Sequence, residues 1–117
     1  GDLRADVITA TAFLYSSDAR LKEGIASLKD GLAKVLALKP VTFSWKKDVV
    51  GHTGESDIGF IAQEVEAVMP NIVHTGEDGT KAVDYVRLVP ILVSAMQEQQ
   101  KEIDALKADI AELKAHQ

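Results

Sequence analysis

Apolar and polar positions along this chain change period several times, and each change marks an element. Residues 1–16 carry Leu3, Val7, Ile8, Thr9, Thr11, Phe13, Leu14 and Tyr15 in partial alternation. This β-branched and aromatic character predicts an extended segment. Ser16-Ser17-Asp18 breaks it, because Ser and Asp side chains bond nearby backbone amides in turns and at helix N-caps. Ser27 with Asp30 approaches a capping box, with Asp where Glu or Gln is usual. Leu28, Leu32, Val35, Leu36 and Leu38 follow at mostly helical spacing, and the helix should end before Pro40. Val41 to Lys46 alternates cleanly and predicts a strand buried on one face. Residues 47–57 are polar, contain Gly51 and Gly54, and predict a loop. Ile58 to Ala62 reads as a short strand. Gln63 to Met69 reads as a short helix with Val65 and Met69 on one face, stopped by Pro70. Ile72 and Val73 can pair with Ala82 and Val83 across a turn from His74 to Lys81, where Gly76 and Gly79 supply the turn chemistry. Asp84 has the character of an N-cap and Pro90 suits a first helical turn. From there a long helix runs towards the C-terminus.

That helix carries a heptad repeat. Val89, Met96, Ile103 and Ile110 recur every seven residues, and Leu92, Gln99, Leu106 and Leu113 form a second series displaced by three. These are a and d positions. Glu102 and Asp109 stand at g, and Lys107 and Lys114 at the following e, so a parallel coiled coil would pair opposite charges between chains. The alternative is one amphipathic helix packed on its own domain. Polar positions flank the stripe on both sides, which favours self-association. Ile at a with Leu at d suits two strands, while Gln99 is a polar layer able to set register or oligomer state. The pattern therefore supports association without fixing the number of chains. The fold class that follows is α+β: a small antiparallel sheet, a packed helix, and a long C-terminal helix.

Composition narrows the function classes. A chain of 117 residues with 46% apolar residues is one small domain with a modest core. Association is expected from size alone. The net charge is −5 and there is no basic tract. Nucleic-acid affinity rests on clustered Lys and Arg, so a nucleic-acid partner is not expected. No apolar run approaches the roughly 20 residues that span a bilayer, so no membrane partner is expected either. There are no cysteines. His52, His74 and His116 are scattered without ligand spacing, so neither a metal nor a cofactor is expected. The chain opens on Gly1 without a signal peptide, which reads as a fragment or a processed product. Glu64 and Glu66, two apart on a helix, do not face each other. Gly76 to Lys81 suits a hairpin turn better than a phosphate loop, because Glu77 and Asp78 would repel phosphate. Trp45 reads as a core residue.

The candidate chemistry lies in Ser17-Asp18-Ala19-Arg20-Leu21-Lys22. A serine hydroxyl needs a base to act as nucleophile. A lysine serves only when its amine is uncharged, which burial against apolar groups promotes. Ser–Lys pairs are a known form of this plan. Residues five apart do not face each other on a regular helix, so the two meet only if Ser17 sits on a turn before the segment carrying Lys22. The competing reading makes Ser17 or Asp18 an N-cap and Lys22 a solvated side chain.

Four motifs in order bear on that choice. Ser17 to Ile25 (Ser-Asp-Ala-Arg-Leu-Lys-Glu-Gly-Ile) closely resembles the signature that opens the C-terminal intramolecular chaperone domain of phage endosialidase tailspikes and tail fibres, a self-cleaving serine peptidase family. Leu38 to Lys46 resembles that family's helix end and strand. Gly59-Phe60-Ile61-Ala62-Gln63-Glu64-Val65 with Pro70 resembles its central motif. Val83-Asp84-Tyr85 with Leu88 and Pro90-Ile91-Leu92 resembles the opening of its long helix. A similar domain occurs in some eukaryotic membrane-bound transcription factors, but no DNA-binding segment is present here.

The resemblance implies a homotrimer joined by a parallel trimeric coiled coil. Residues 1–16 would end an upstream fibre or tailspike segment of the same chain, 17–88 would form the globular chaperone and autoprotease, and 89–117 the coiled-coil helix. It implies folding of the upstream segment followed by a single cut between Ser16 and Ser17. Ser17 would be the nucleophile and Lys22 the general base, with Asp18 and Arg20 in support. It further implies a phage protein made in the host cytoplasm, whose chaperone part is released and absent from the mature virion. A structural tip that trimerises without cutting is the alternative.

Overall fold

The computed structural model describes residues 7–117. Part of the extended segment expected over 1–16, including Leu3, lies outside the described residues. From Val7 to Ser16 the chain forms no strand and is exposed throughout. A strand needs a neighbour for its backbone amides, and among the described residues no strand pairs with this segment.

The first helix, α1, spans Gly31–Leu36, followed by Ala37 as its C-cap. It starts later than the Ser27–Asp30 pattern predicts. Asp30 is the N-cap residue, but in a left-handed conformation (φ 63°) and without a side-chain capping bond. The reason is tertiary. The Gly31 amide donates to Glu98 Oε1 at 3.0 Å, so a distant carboxylate replaces the local cap.

Strand β1 (Val41–Ser44) pairs antiparallel with β2 (Ser56–Gly59), with Val41 opposite Gly59 and Ser44 opposite Ser56. Alternation in β1 is as expected, with Val41 and Phe43 half-buried and Thr42 and Ser44 exposed. β2 begins two residues before the predicted strand, because pairing with β1 sets its limits. The Trp45 amide continues the ladder to the Glu55 carbonyl at 2.9 Å. Helix α2 (Ala62–Val68) follows, and Pro70–Ile72 forms a single 3₁₀ turn. β3 (Val73–Thr75) and β4 (Lys81–Val83) then form a second hairpin, Val73 opposite Val83. The strands thus make two separate two-stranded sheets rather than one. α2 and the 3₁₀ turn carry the chain away between them, so each strand pairs only with its sequence neighbour.

Helix α3 runs over Tyr85–Ala115. The Asp84 side chain caps it by accepting from the Arg87 amide and pairs with the Arg87 guanidinium. This start places Pro90 in the second turn rather than the first, where it forgoes the amide that would have bonded the Val86 carbonyl.

The core gathers on the first turns of α3. Val65 and Met69 meet Ile72, Leu88 and Ile91, and Val35, Leu38, Phe60, Val68, Val73 and Val83 pack around them. Trp45 is not among them. It stacks on His52 with ring centroids 4.1 Å apart, and its indole N–H donates to Asp57. An open two-stranded hairpin leaves the large ring at a rim, where its polar edge finds a partner.

Helix α3 buries Leu88, Ile91, Ser94 and Ala95 against the rest of the chain. None of these is an a or d position of the heptad. The heptad residues stay exposed, with Met96 at 72% and Leu113 at 67%, and every residue from Gln99 onwards is exposed. The radius of gyration is 19.8 Å, against about 13 Å for a compact chain of this length. Among the described residues nothing buries the heptad stripe, and the helix leaves the globular part with that stripe uncovered.

Met69 is 2% exposed at the centre of the core. Met69→Ala should cost about 2–5 kcal/mol of stability, read as a lowered midpoint in urea unfolding followed by circular dichroism.

Candidate active site

The segment after Ser16 folds into one tight turn for a local reason. Asp18 is extended (φ −67°, ψ 134°), and its Oδ1 accepts the Arg20 amide at 2.9 Å. The Arg20 guanidinium grips the same carboxylate with two nitrogens, Nε to Oδ1 at 3.1 Å and Nη2 to Oδ2 at 2.7 Å. Ala19–Leu21 forms a 3₁₀ turn between them, closed by Leu21 N–H to Asp18 C=O and Lys22 N–H to Ala19 C=O. Hydrogen bonds from Arg20, first its side chain and then its backbone, hold the Asp18 carboxyl below the usual carboxylate range. The same pairing raises the Arg20 guanidinium further. Both groups lie in water, so the pair contributes little to stability. Its effect is on shape.

That shape brings Ser17 and Lys22 together. They flank the turn, Lys22 resumes an extended backbone (φ −121°, ψ 148°), and Lys22 Nζ lies 2.6 Å from Ser17 Oγ. As an ammonium the lysine donates to the hydroxyl oxygen. As a free amine it would accept the hydroxyl proton along the same line, within the reach a general base requires. Asp18 serves as the N-cap that the competing reading expected, but this does not leave Lys22 unengaged. Capping and the Ser–Lys contact are parts of one turn.

The pair is fully open in the single chain. Every residue from Val7 to Asp30 is exposed, including Leu21 and Ile25 beside the dyad at 73% and 74%. Among the described residues none encloses the pair, whereas a lysine acting as a base would need apolar cover.

The remaining motif residues have structural work. The Tyr85 hydroxyl accepts the Phe60 amide at 3.2 Å, and the Tyr85 and Phe60 rings stack. A Cβ on Gly59 would stand 2.8 Å from that hydroxyl, so glycine is required for the approach. The Gly-Phe motif and the Asp-Tyr motif are therefore the two sides of one contact, joining β2 to the start of α3. Glu66 bonds Lys81 at 3.0 Å, and Lys81 also reaches Thr75 at 2.8 Å, so this carboxylate fastens α2 to the second hairpin. Residues 76–81 make the expected turn, with Gly79 at φ 84°. Among the described residues no group of His, Asp and Glu is placed to hold a metal ion.

Two side chains that sequence reasoning missed touch the segment following the dyad. Ser94 Oγ donates to the Leu28 carbonyl at 3.4 Å, and Glu98 accepts the Gly31 amide. A Cβ on Gly31 would stand 2.6 Å from Ser94 Oγ and 3.0 Å from the Ala95 nitrogen, so backbone meets helix directly. No local pattern points to partners more than sixty residues ahead. The only signal was the glycine itself, where a helical residue would be expected.

Two comparisons with known proteins bear on this chain. Residues 17–74 match the family model described as chaperone of endosialidase, a peptidase family, and the matched region opens on Ser17. The chain is also 33% identical over 105 residues to the long tail fiber protein Gp37 of Salmonella phage S16. That alignment covers 85% of this chain and 14% of the fibre protein. With the family model matched from Ser17 and a tail fibre protein similar over most of the chain's length, this chain belongs to the chaperone-of-endosialidase family.

Proposed function

We propose that this chain is the intramolecular chaperone of a phage tail fibre or tailspike, that it acts as a homotrimer, and that it releases itself by cutting the Ser16–Ser17 bond. The observation that carries the cleavage is the 2.6 Å contact between Lys22 Nζ and Ser17 Oγ.

The chemistry is a single turnover. Lys22, uncharged, takes the hydroxyl proton as Ser17 Oγ attacks the Ser16 carbonyl carbon. The C–N bond breaks and the proton passes to the departing Ser17 nitrogen. The Ser16 acyl group is left as an ester on Oγ, and water hydrolyses it to a Ser16 carboxylate and a Ser17 hydroxyl. Asp18 and Arg20 keep the turn in which nucleophile and base meet. Their role is orientation.

Assembly through α3 is supported by the uncovered heptad stripe and by the charges beside it. In a parallel bundle Glu102 would face Lys107 of a neighbouring chain, and Asp109 would face Lys114. Three strands brought into register at one end would relieve the slow search that intertwined β-rich fibres face. Removal of the template would then leave the fibre kinetically locked. In this account the protein is made in the host cytoplasm, and the chaperone part is absent from the finished virion.

The exposure of the dyad favours a second reading, a trimerising tip that does not cut. Intact mass decides between them. With an upstream fibre segment attached, the wild type should yield a fragment beginning at Ser17, while Ser17→Ala and Lys22→Ala stay whole. A trimer that remains whole in the wild type supports the tip.

Two further outcomes follow. Asp18→Asn should weaken the grip of Arg20 and slow fragment release about tenfold, with trimer mass unchanged. Ile103→Asp should abolish association in sedimentation velocity while leaving the core around Met69 folded, because Ile103 touches none of it.

A further inference from the structure

Residues 7–30 form an arm that is exposed along its whole length. The dyad turn sits within it and is closed by its own local bonds. The turn therefore fixes Ser17 against Lys22 but not where the pair stands in the molecule. Two hydrogen bonds fasten the foot of the arm, from Ser94 Oγ to the Leu28 carbonyl and from the Gly31 amide to Glu98 Oε1. Both are part-buried, and the second is charge-assisted, which makes it the stronger. Gly31 leaves no gap at the same point, since a Cβ there would meet Ser94 and Ala95.

Both clamp residues lie on α3, and Glu98 stands between Met96 and Gln99 of the heptad stripe. The arm is thus anchored on the element whose other face is open to neighbouring chains. From Gly31 back to Lys22 the chain can reach at most about 30 Å. Whatever covers the dyad must lie within that radius of the clamp.

We propose that Ser94 and Glu98 are positioning residues for the cleavage, holding the arm so that assembly through α3 brings a neighbouring chain over Ser17 and Lys22. This rests on the self-cleavage reading above. Neither residue touches the reacting atoms. They set where the reacting turn is presented.

The test uses the full chain with its upstream segment. Glu98→Ala removes the acceptor, and Glu98→Gln keeps an oxygen for the Gly31 amide. In trimers of matched mass, Glu98→Ala should release the Ser17 fragment about ten to a hundred times more slowly, and Glu98→Gln should stay within about threefold of the wild type. A wild-type rate in Glu98→Ala overturns the proposal, as does a Gln variant as slow as the alanine one. Should Glu98→Ala fail to assemble, Ser94→Ala is read in its place: slower release supports the clamp, and a wild-type rate overturns it. Hydrogen exchange on the uncut Ser17→Ala trimer gives a readout free of the chemistry. Adding Glu98→Ala, or Ser94→Ala in its place, should speed exchange over residues 23–31 and leave the amides around Met69 unchanged. Unchanged exchange over 23–31, or a rise throughout the core, overturns the clamp. A wild type that never cuts sinks the self-cleavage reading, and the exchange result still decides whether the clamp exists.

Discussion

Helix α3 has two apolar faces, and one chain can cover only one of them. Leu88, Ile91 and Ala95 take up α2, the second hairpin and α1. Val89, Leu92, Met96, Ile103, Leu106, Ile110 and Leu113 are left in water. Burying apolar area is the main term that stabilises a fold, and a stripe of this length exposed is a large forfeited gain. The rest of the architecture hangs from this helix. Its first turns seat the core, its Tyr85 holds β2, and its Ser94 and Glu98 hold the foot of the dyad arm. The uncovered face is what supports the proposed association through α3.

The candidate active site shows the same incompleteness. Asp18 and Arg20 settle locally how Ser17 meets Lys22, at the scale of one turn and with no help from the core. In the proposed cleavage Lys22 would need apolar cover, and the exposed Leu21 and Ile25 beside it would offer a surface for it. If a neighbouring chain supplied that cover, as proposed, a natural order of events would follow. The pair would be ready early but inactive until neighbours arrive, so the template would not be cut away before it had acted.

Local patterns in the sequence were read well where the cause was local. β1 alternates as written, α2 and its C-cap bury Val65 and Met69, the second hairpin pairs Val73 with Val83, and Asp84 caps α3. The contact between Ser17 and Lys22 is local in the same way, because residues five apart meet only across a turn and Ala19–Leu21 supplies one; spacing alone does not single the pair out, the family resemblance does. Errors came where a distant partner decided. Ser27 does not start α1, and the Asp30 side chain makes no capping bond at its N-cap position, because Glu98 takes the Gly31 amide. β2 is displaced because β1 sets its limits, and Trp45 lies at a rim because its hairpin has no third strand. The heptads told of a stripe, but only the structure separated that stripe from the face α3 uses within its own chain.

The account makes cutting conditional on assembly, and that condition is directly measurable. The wild-type chain with its upstream segment, refolded over a range of concentrations, would be followed by native mass spectrometry for both oligomer and fragment. The account predicts that the fragment beginning at Ser17 appears only in trimer-sized species and that its release lags behind their formation. Release from single chains at the same rate would contradict it.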